Sequence, residues 1–306
     1  MTPEPAPRPA DRAAAEEASA FAHPPVPPDA TASYGDHPDQ LVDFYRPRTL
    51  RGGAPAPLVA LLHGGAWRAR HDRTHLSPLA AHLAAHGFAV ASVEYRRGIS
   101  PQSPQTLSGG PDGPAPAAAG RWPDTFDDVA AAVDALPELA ARALGAELAD
   151  PRRLVLCGHS AGGHLALWAA ARHVLPPRSP WHLPSPPPLR GVVALAPIAD
   201  LTSAIRLRVC SDAVTELLGG LDRLAARLPD ADPAVLLPTG IAATIVHGTT
   251  DNVVPPQVSR EFARAAAAAG QEVTTAWLRG SGHFALIDPA SPAVSAVADE
   301  LDQLAW

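Results

Sequence analysis

Along the chain, short and nearly continuous apolar runs alternate with stretches of helical periodicity. Residues 57–62, 88–93, 154–157, 190–197 and 241–246 are too short for stable helices and too apolar for strands with one wet face. They read as strands buried on both sides of a parallel sheet. Residues 40–45 instead alternate apolar and polar positions and stop before Pro47, as an antiparallel edge strand does. A last strand is expected at 273–278. Helical periodicity fills 76–86, 125–136, 161–171, 259–269 and 292–304, with Gly87 and Gly270 placed to end two of these helices. Strand and helix in alternation predict an α/β fold with a doubly wound, mostly parallel sheet of about eight strands.

Composition shifts divide the rest. Residues 1–30 are rich in Pro and Ala, with one helix-compatible piece at 10–20, and are expected to form a disordered or loosely packed tail ahead of a single domain at 31–306. Residues 98–121 have no periodicity and run from a strand to a helix. Such loops lie at the carboxyl edge of a parallel sheet, where ligands bind, so this one should border the site. The Pro-rich segment 176–188 runs from helix to strand, at the opposite edge, and reads as a connector. Residues 201–238, between two core strands, carry short helical pieces and should form a small cap.

The run Leu154-Val155-Leu156-Cys157 breaks into Gly158-His159-Ser160-Ala161-Gly162 and continues as a helix. Strand, sharp turn and helix around Gly-x-Ser-x-Gly form a nucleophile elbow: the serine is presented in a strained turn, and the helix N-terminus favours an anion beside it. The strand at 57–62 delivers His63-Gly64-Gly65-Ala66-Trp67, whose paired glycines let backbone N–H groups turn toward an oxyanion. A carboxylate on a loop past a later strand could orient a catalytic imidazole. Asp251 follows the strand at 241–246, Asp200 follows the preceding strand, and Asp288 is close in sequence to His283. His283 stands in a glycine-bracketed loop after all but one of these acids, giving the order Ser, Asp, His.

These motifs resemble the α/β-hydrolase esterases that pair a His-Gly-Gly loop with Gly-His-Ser-Ala-Gly-Gly. The resemblance implies oxyanion donors at Gly65, Ala66 and Ala161, with His63 holding its loop. Similarity of 247–255 to His-Gly-x-x-Asp-x-x-Val-Pro selects Asp251 as the acid. Ser160 would attack an acyl carbonyl and His283 would take its proton; no metal or organic cofactor is implied. Asp212–Gly220 and Asp232–Pro238 resemble a branch that includes feruloyl and acetyl-xylan esterases. Kynurenine formamidases share His-Gly-Gly-x-Trp, which makes Trp67 a candidate substrate contact and keeps an arylformamidase as the alternative to a small-ester hydrolase. Prolyl-oligopeptidase-like peptidases need a further domain for which the chain has no room. A binding protein on an inactive hydrolase scaffold is the alternative from another class.

Bulk composition narrows the partners. With 306 residues and 46% hydrophobic content the chain can bury one large core. Its 24 basic residues, all arginine, face 31 acidic ones for a net charge of -7, which argues against nucleic acid as a partner. Cys157 and Cys210 are too few for a disulfide framework and are expected as free thiols. The first residues lack a signal-peptide pattern and no apolar run reaches about 18 residues, so a cytoplasmic protein without membrane contact is expected. His71, His75, His82 and His86 fall at metal-ligand spacing, but no acidic residue stands between members of either pair. Residues 76–86 read instead as an amphipathic helix with its histidines on the wet side. The expected partner is a small soluble ester or formamide; the oligomeric state is left open.

Overall fold

The computed structural model describes residues 9–98, 119–120 and 122–306, and the loop expected at 98–121 therefore lies almost wholly outside the described residues. Strands β1 (Ala30–Ser33), β2 (Leu41–Tyr45), β3 (Ala56–Leu62), β4 (Ala89–Val93), β5 (Ala149–His159), β6 (Gly191–Leu195), β7 (Ala243–Gly248) and β8 (Thr274–Leu278) form one 8-stranded sheet. Its order is β1-β2-β4-β3-β5-β6-β7-β8, antiparallel at β1–β2 and β2–β4 and parallel from β4 onward. This is the doubly wound, mostly parallel α/β sheet expected from the alternating pattern.

Pleating divides each central strand between two cores. Leu58, Ala60 and Leu62 join one cluster with Leu154 and Leu156, while Val59 and Leu61 join another with Val155 and Cys157. Against the first pack α3 (Asp124–Leu144) and α4 (Ala161–Ala170), through Phe126, Leu136, Leu165 and Trp168. Against the second pack α2 (Ser77–Ala85) and α9 (Ala293–Ala305), through Leu79, Leu83, Val297 and Leu301. Helices α5 (Leu201–Arg206), α6 (Ala213–Leu217) and α7 (Leu224–Ala231) occupy the segment between β6 and β7, and α8 (Pro256–Ala268) lies between β7 and β8. No helix among the described residues is long and apolar enough to cross a membrane.

Three regions depart from the sequence reading. Where a loosely packed tail was expected over 1–30, its helix-compatible piece forms helix α1 (Pro9–Ala22) docked on the domain, and edge strand β1 begins at the expected boundary. The helix is held by polar contacts that composition does not reveal: Ser19 Oγ donates to Asp288 at 2.6 Å, and His23 Nε2 meets the same carboxylate at 2.7 Å. Helix α3 continues through Pro137, where propensity would end it. Leu139, Ala140 and Leu144 beyond the proline are buried, and that burial outweighs the lost backbone bond. The connector at 176–188 is anchored, because Trp181 is 4% exposed within a cluster of Trp122, Phe126 and Trp168. Its indole N–H donates to Asp127 at 2.7 Å.

Candidate active site

Strand β5 ends at His159 and α4 begins at Ala161, so Ser160 alone makes the turn, at φ 57° and ψ −116°. A non-glycine residue with positive φ is strained and survives only where its surroundings fix it. Here Ser160 N–H donates to Leu195 O at 2.8 Å, and Ser160 O accepts from Ile198 N at 3.2 Å. The turn also needs glycines on both sides. A Cβ at Gly158 would lie 2.1 Å from Gly162 O, and one at Gly162 would lie 2.1 Å from Leu62 O. Strand, serine and helix therefore approach more closely than any side chain allows.

Of the three acid candidates, Asp251 meets the histidine. His283 Nδ1 donates to Asp251 Oδ2 at 2.6 Å, which leaves Nε2 as the ring nitrogen free to act as base. The other carboxylate oxygen accepts from Val253 N at 2.8 Å and Val254 N at 2.9 Å. Burial alone would raise the pKa of Asp251, but His283 and His247 hold it well below the usual carboxylate range, so it stays ionised. Asp200 instead caps α5 through Ser203 N at 2.7 Å, and Asp288 is engaged by Ser19 and His23.

His247 is a further member that motif reading passed over. Its Nε2 lies 3.2 Å from Asp251 Oδ2 and 3.0 Å from Val254 O, both acceptors, while Nδ1 meets Ser259 Oγ at 2.7 Å. Nε2 must therefore carry a proton, and His247 supports the same carboxylate oxygen that His283 engages. The signal was available: His247 opens the same loop motif that contains Asp251.

After β3, Gly65, Ala66 and Trp67 all take positive φ, 108°, 53° and 56°. The N–H groups of Gly65 and Ala66 donate to no group among the described residues, and Ala161 N–H sits in the first turn of α4, where helix amides lack internal partners. His63 holds the loop from behind. It is fully buried, with Nδ1 2.8 Å from Gly64 O and Nε2 2.8 Å from Glu94, and it stacks on Tyr95 at 4.2 Å. Glu94 would be raised by burial, yet His63, Arg97 and Arg73 N–H hold it down at about 2.

Trp67, the candidate substrate contact, does not line the cavity that Ser160 and His283 border. It is 0% exposed, packs edge-on against His164, and is absent from the cavity wall. Its positive φ turns the side chain into the core while its carbonyl accepts from Gly98 N and Gly120 N, both at 2.7 Å. Trp67 thus gathers the two ends of the 98–121 loop beside the Gly65-Ala66 turn.

The cavity, about 290 Å³, is bordered by Gly65, Ala66, Ser160 and His283, and by Cys210 from the segment between β6 and β7. Ser160 and His283 face it together without a direct hydrogen bond, an arrangement common before substrate binds. Sequence reading missed the rest of the wall. His71 and His75, considered from sequence only as a metal-ligand pair, line it, and burial pushes His75 down to about 3. His159 donates from Nε2 to His283 O at 3.1 Å and packs its ring 4.5 Å from that of His283; burial and the neighbouring imidazole hold it well below the ordinary value, hence neutral. Glu17, Phe21, Arg68, Arg70, Val253 and Phe284 complete the wall.

Comparison with known proteins agrees with this geometry. The BD-FAE family model matches residues 116–265. A probable carboxylic ester hydrolase, LipM of Mycobacterium tuberculosis, is 28% identical over 290 residues, covering 89% of this chain and 60% of that protein. A probable isoprenylcysteine alpha-carbonyl methylesterase, ICME of Oryza sativa subsp. japonica, is 27% identical over 259 residues, covering 82% of this chain and 56% of its own length. The chain thus spans less than two thirds of either relative. Among solved structures, Esterase B from Lactobacillus rhamnosis aligns with a TM-score of 0.68 at 21% identity, over 96% of this chain and 91% of that one. The sheet order, the strained elbow and the structural alignment give this chain the α/β-hydrolase fold, and the BD-FAE match falls on the stretch that carries the elbow and Asp251.

Proposed function

We propose that the protein is a serine hydrolase that cleaves small soluble carboxylic esters through an acyl-enzyme, with Ser160 as nucleophile, His283 as base and Asp251 as its orienting acid. The observation that carries this reading is the strained Ser160 turn sharing a cavity with a His283 ring whose Nδ1 is fixed 2.6 Å from a buried carboxylate. Ser160 Oγ attacks the acyl carbon as its proton passes to His283 Nε2. The tetrahedral oxyanion accepts from the N–H groups of Gly65, Ala66 and Ala161, which are already oriented and need no reorganisation. On collapse the C–O bond to the alcohol breaks, and the alcohol leaves with the proton from His283. Water attacks the acyl-enzyme with the same base, releasing the acid and restoring Ser160.

The names of the relatives, an ester hydrolase and a methylesterase, support an ester substrate. A cavity of about 290 Å³ suits short acyl groups ahead of long chains. Trp67 was the residue that favoured an arylformamidase, and a side chain buried away from the cavity gives that reading no contact with substrate. The test is turnover of p-nitrophenyl acetate and labelling by a fluorophosphonate. The wild type should hydrolyse the ester and take the label on Ser160, and Ser160→Ala should do neither while remaining folded. A folded Ser160→Ala protein with normal turnover refutes the mechanism.

A further inference from the structure

Helix α1 reaches the reaction centre from the far end of the chain. Residues Ala13, Glu16, Glu17 and Ala20 recur at helical spacing and form the face turned toward the protein, yet of these only Ala20 is buried. So thin an apolar seam gives the helix little reason to dock. Its specific contacts instead converge on the loop that carries His283. Glu16 accepts from Gly282 N–H through both carboxylate oxygens, at 2.9 and 3.1 Å, immediately before the histidine. Ser19 and His23 grip Asp288 just after it. Phe21, 36% exposed, packs on His71 at 5.0 Å and edge-on against Phe284 at 5.4 Å, and its remaining surface lines the cavity. A second cavity, lined on the helix by Ala10, Ala13, Ala14 and Glu17, shares Glu17, Val253, His283 and Phe284 with the first.

We propose that α1 is a working part of the active site, with Glu16 as a positioning residue for His283 and Phe21 as a wall that sets acyl-chain preference. This rests on the ester-hydrolase reading above. The His283 loop spans from β8 to α9, and its backbone N–H at Gly282 has no strand to pair with. The Glu16 carboxylate supplies that partner with a charge-assisted bond, which fixes the histidine backbone at one end while Asp251 fixes the ring at the other. Small displacements of a base are expensive in rate, up to about 10²-fold for roughly 1 Å. Burial raises the pKa of Glu16, in keeping with a carboxylate held at a site for its hydrogen bond and not for solvation.

The experiment measures kcat and KM per fluorophosphonate-titrated site, so that loss of folded protein does not count as loss of rate. Glu16→Ala should lower kcat about tenfold with KM little changed. Glu16→Gln, whose amide oxygen can still accept from Gly282 N–H, should return most of it. Phe21→Ala should change the ratio of kcat/KM for p-nitrophenyl hexanoate over acetate by at least about fivefold, within the range that one buried apolar contact controls. Wild-type kcat per site in Glu16→Ala overturns the positioning role. An unchanged chain-length ratio in Phe21→Ala overturns the wall. A wild type that neither turns over esters nor labels at Ser160 overturns the enzyme reading and this inference with it, whereas an active wild type with indifferent variants sinks only the inference.

Discussion

Replacing Asp251 with Asn tests the proposed machinery at its most constrained atom. The carboxylate has two unlike sides: Oδ1 accepts from two backbone amides, at 2.8 and 2.9 Å, and Oδ2 accepts from His283 at 2.6 Å and His247 at 3.2 Å. An asparagine of the same shape has one acceptor. Backbone amides cannot change their donor character, so the amide oxygen must face Val253 and Val254 and its NH2 must face the histidines. His283 then meets a donor where it had an acceptor. Its Nδ1 must give up its proton and accept, the proton moves to Nε2, and the nitrogen facing Ser160 loses the lone pair that the reaction needs. The wrong tautomer in another triad costs about 10⁴-fold in kcat, equivalent to ~5.4 kcal/mol of transition-state stabilisation. Asp251→Asn should show a loss of that order in steady-state hydrolysis of p-nitrophenyl acetate, with circular dichroism and thermal midpoint reporting a retained fold. Activity above roughly a tenth of wild type would refute the assignment of the acid. Asp200→Asn serves as the control, since that carboxylate holds a helix cap away from His283.

Other outcomes follow from burial and pairing. Glu94, lowered from 4.5 to about 2, contributes stability that is present above pH 4.5 and lost as pH falls toward 2. Glu94→Gln should therefore flatten the acid limb of a thermal-midpoint profile and destabilise the neutral protein by about 3 kcal/mol or more, because it leaves Arg97 without its closest partner at 2.7 Å; an unchanged acid limb would refute the pairing. Trp181→Ala should cost about 3–5 kcal/mol in chemical denaturation while leaving kcat/KM nearly unchanged, and a selective loss of activity would contradict its purely structural place. His247→Ala should lower kcat by less than Asp251→Asn does, because it removes one support from the carboxylate and leaves the His283 bond in place; equal losses would mean that His247 acts directly.

What the sequence revealed was what is local. The elbow at 158–162 needs a strand, a strained residue and a helix within one short stretch, and each leaves its mark there as an apolar run, a glycine pair and a periodic tail. The same holds for β3 and the loop after it. Residues that act through distant neighbours left no such mark. His71 and His75 follow the oxyanion loop at a spacing that suits a metal pair as readily as a cavity wall, and only the packing around them, Phe21 against His71 included, shows the wall. Trp67 was misjudged for a related reason. Its motif fixes its place in the chain, but its direction depends on three successive residues with positive φ, which no residue type there except Gly65 announces. At Pro137 and Trp181 the error ran the other way, since local propensity and composition spoke for a break and a linker while tertiary burial decided otherwise.

The same division explains how the proposed base is held. A catalytic serine can be fixed by its own strand and helix, because the elbow stores the strain within consecutive residues. A histidine on a loop after the last strand has no such scaffold, and its ring and backbone must be fixed by groups from elsewhere. Asp251 and His247 come from the neighbouring strand β7 and its loop, so their contribution follows from the parallel order of β7 and β8. His159 comes from the elbow itself and donates to the His283 carbonyl at 3.1 Å, tying the His283 loop to the strand that carries Ser160. Glu16 comes from the opposite end of the chain. The closer a support lies to the sheet, the better the strand pattern foretells it, and the one support outside the sheet, helix α1, is the one that composition misread as a tail.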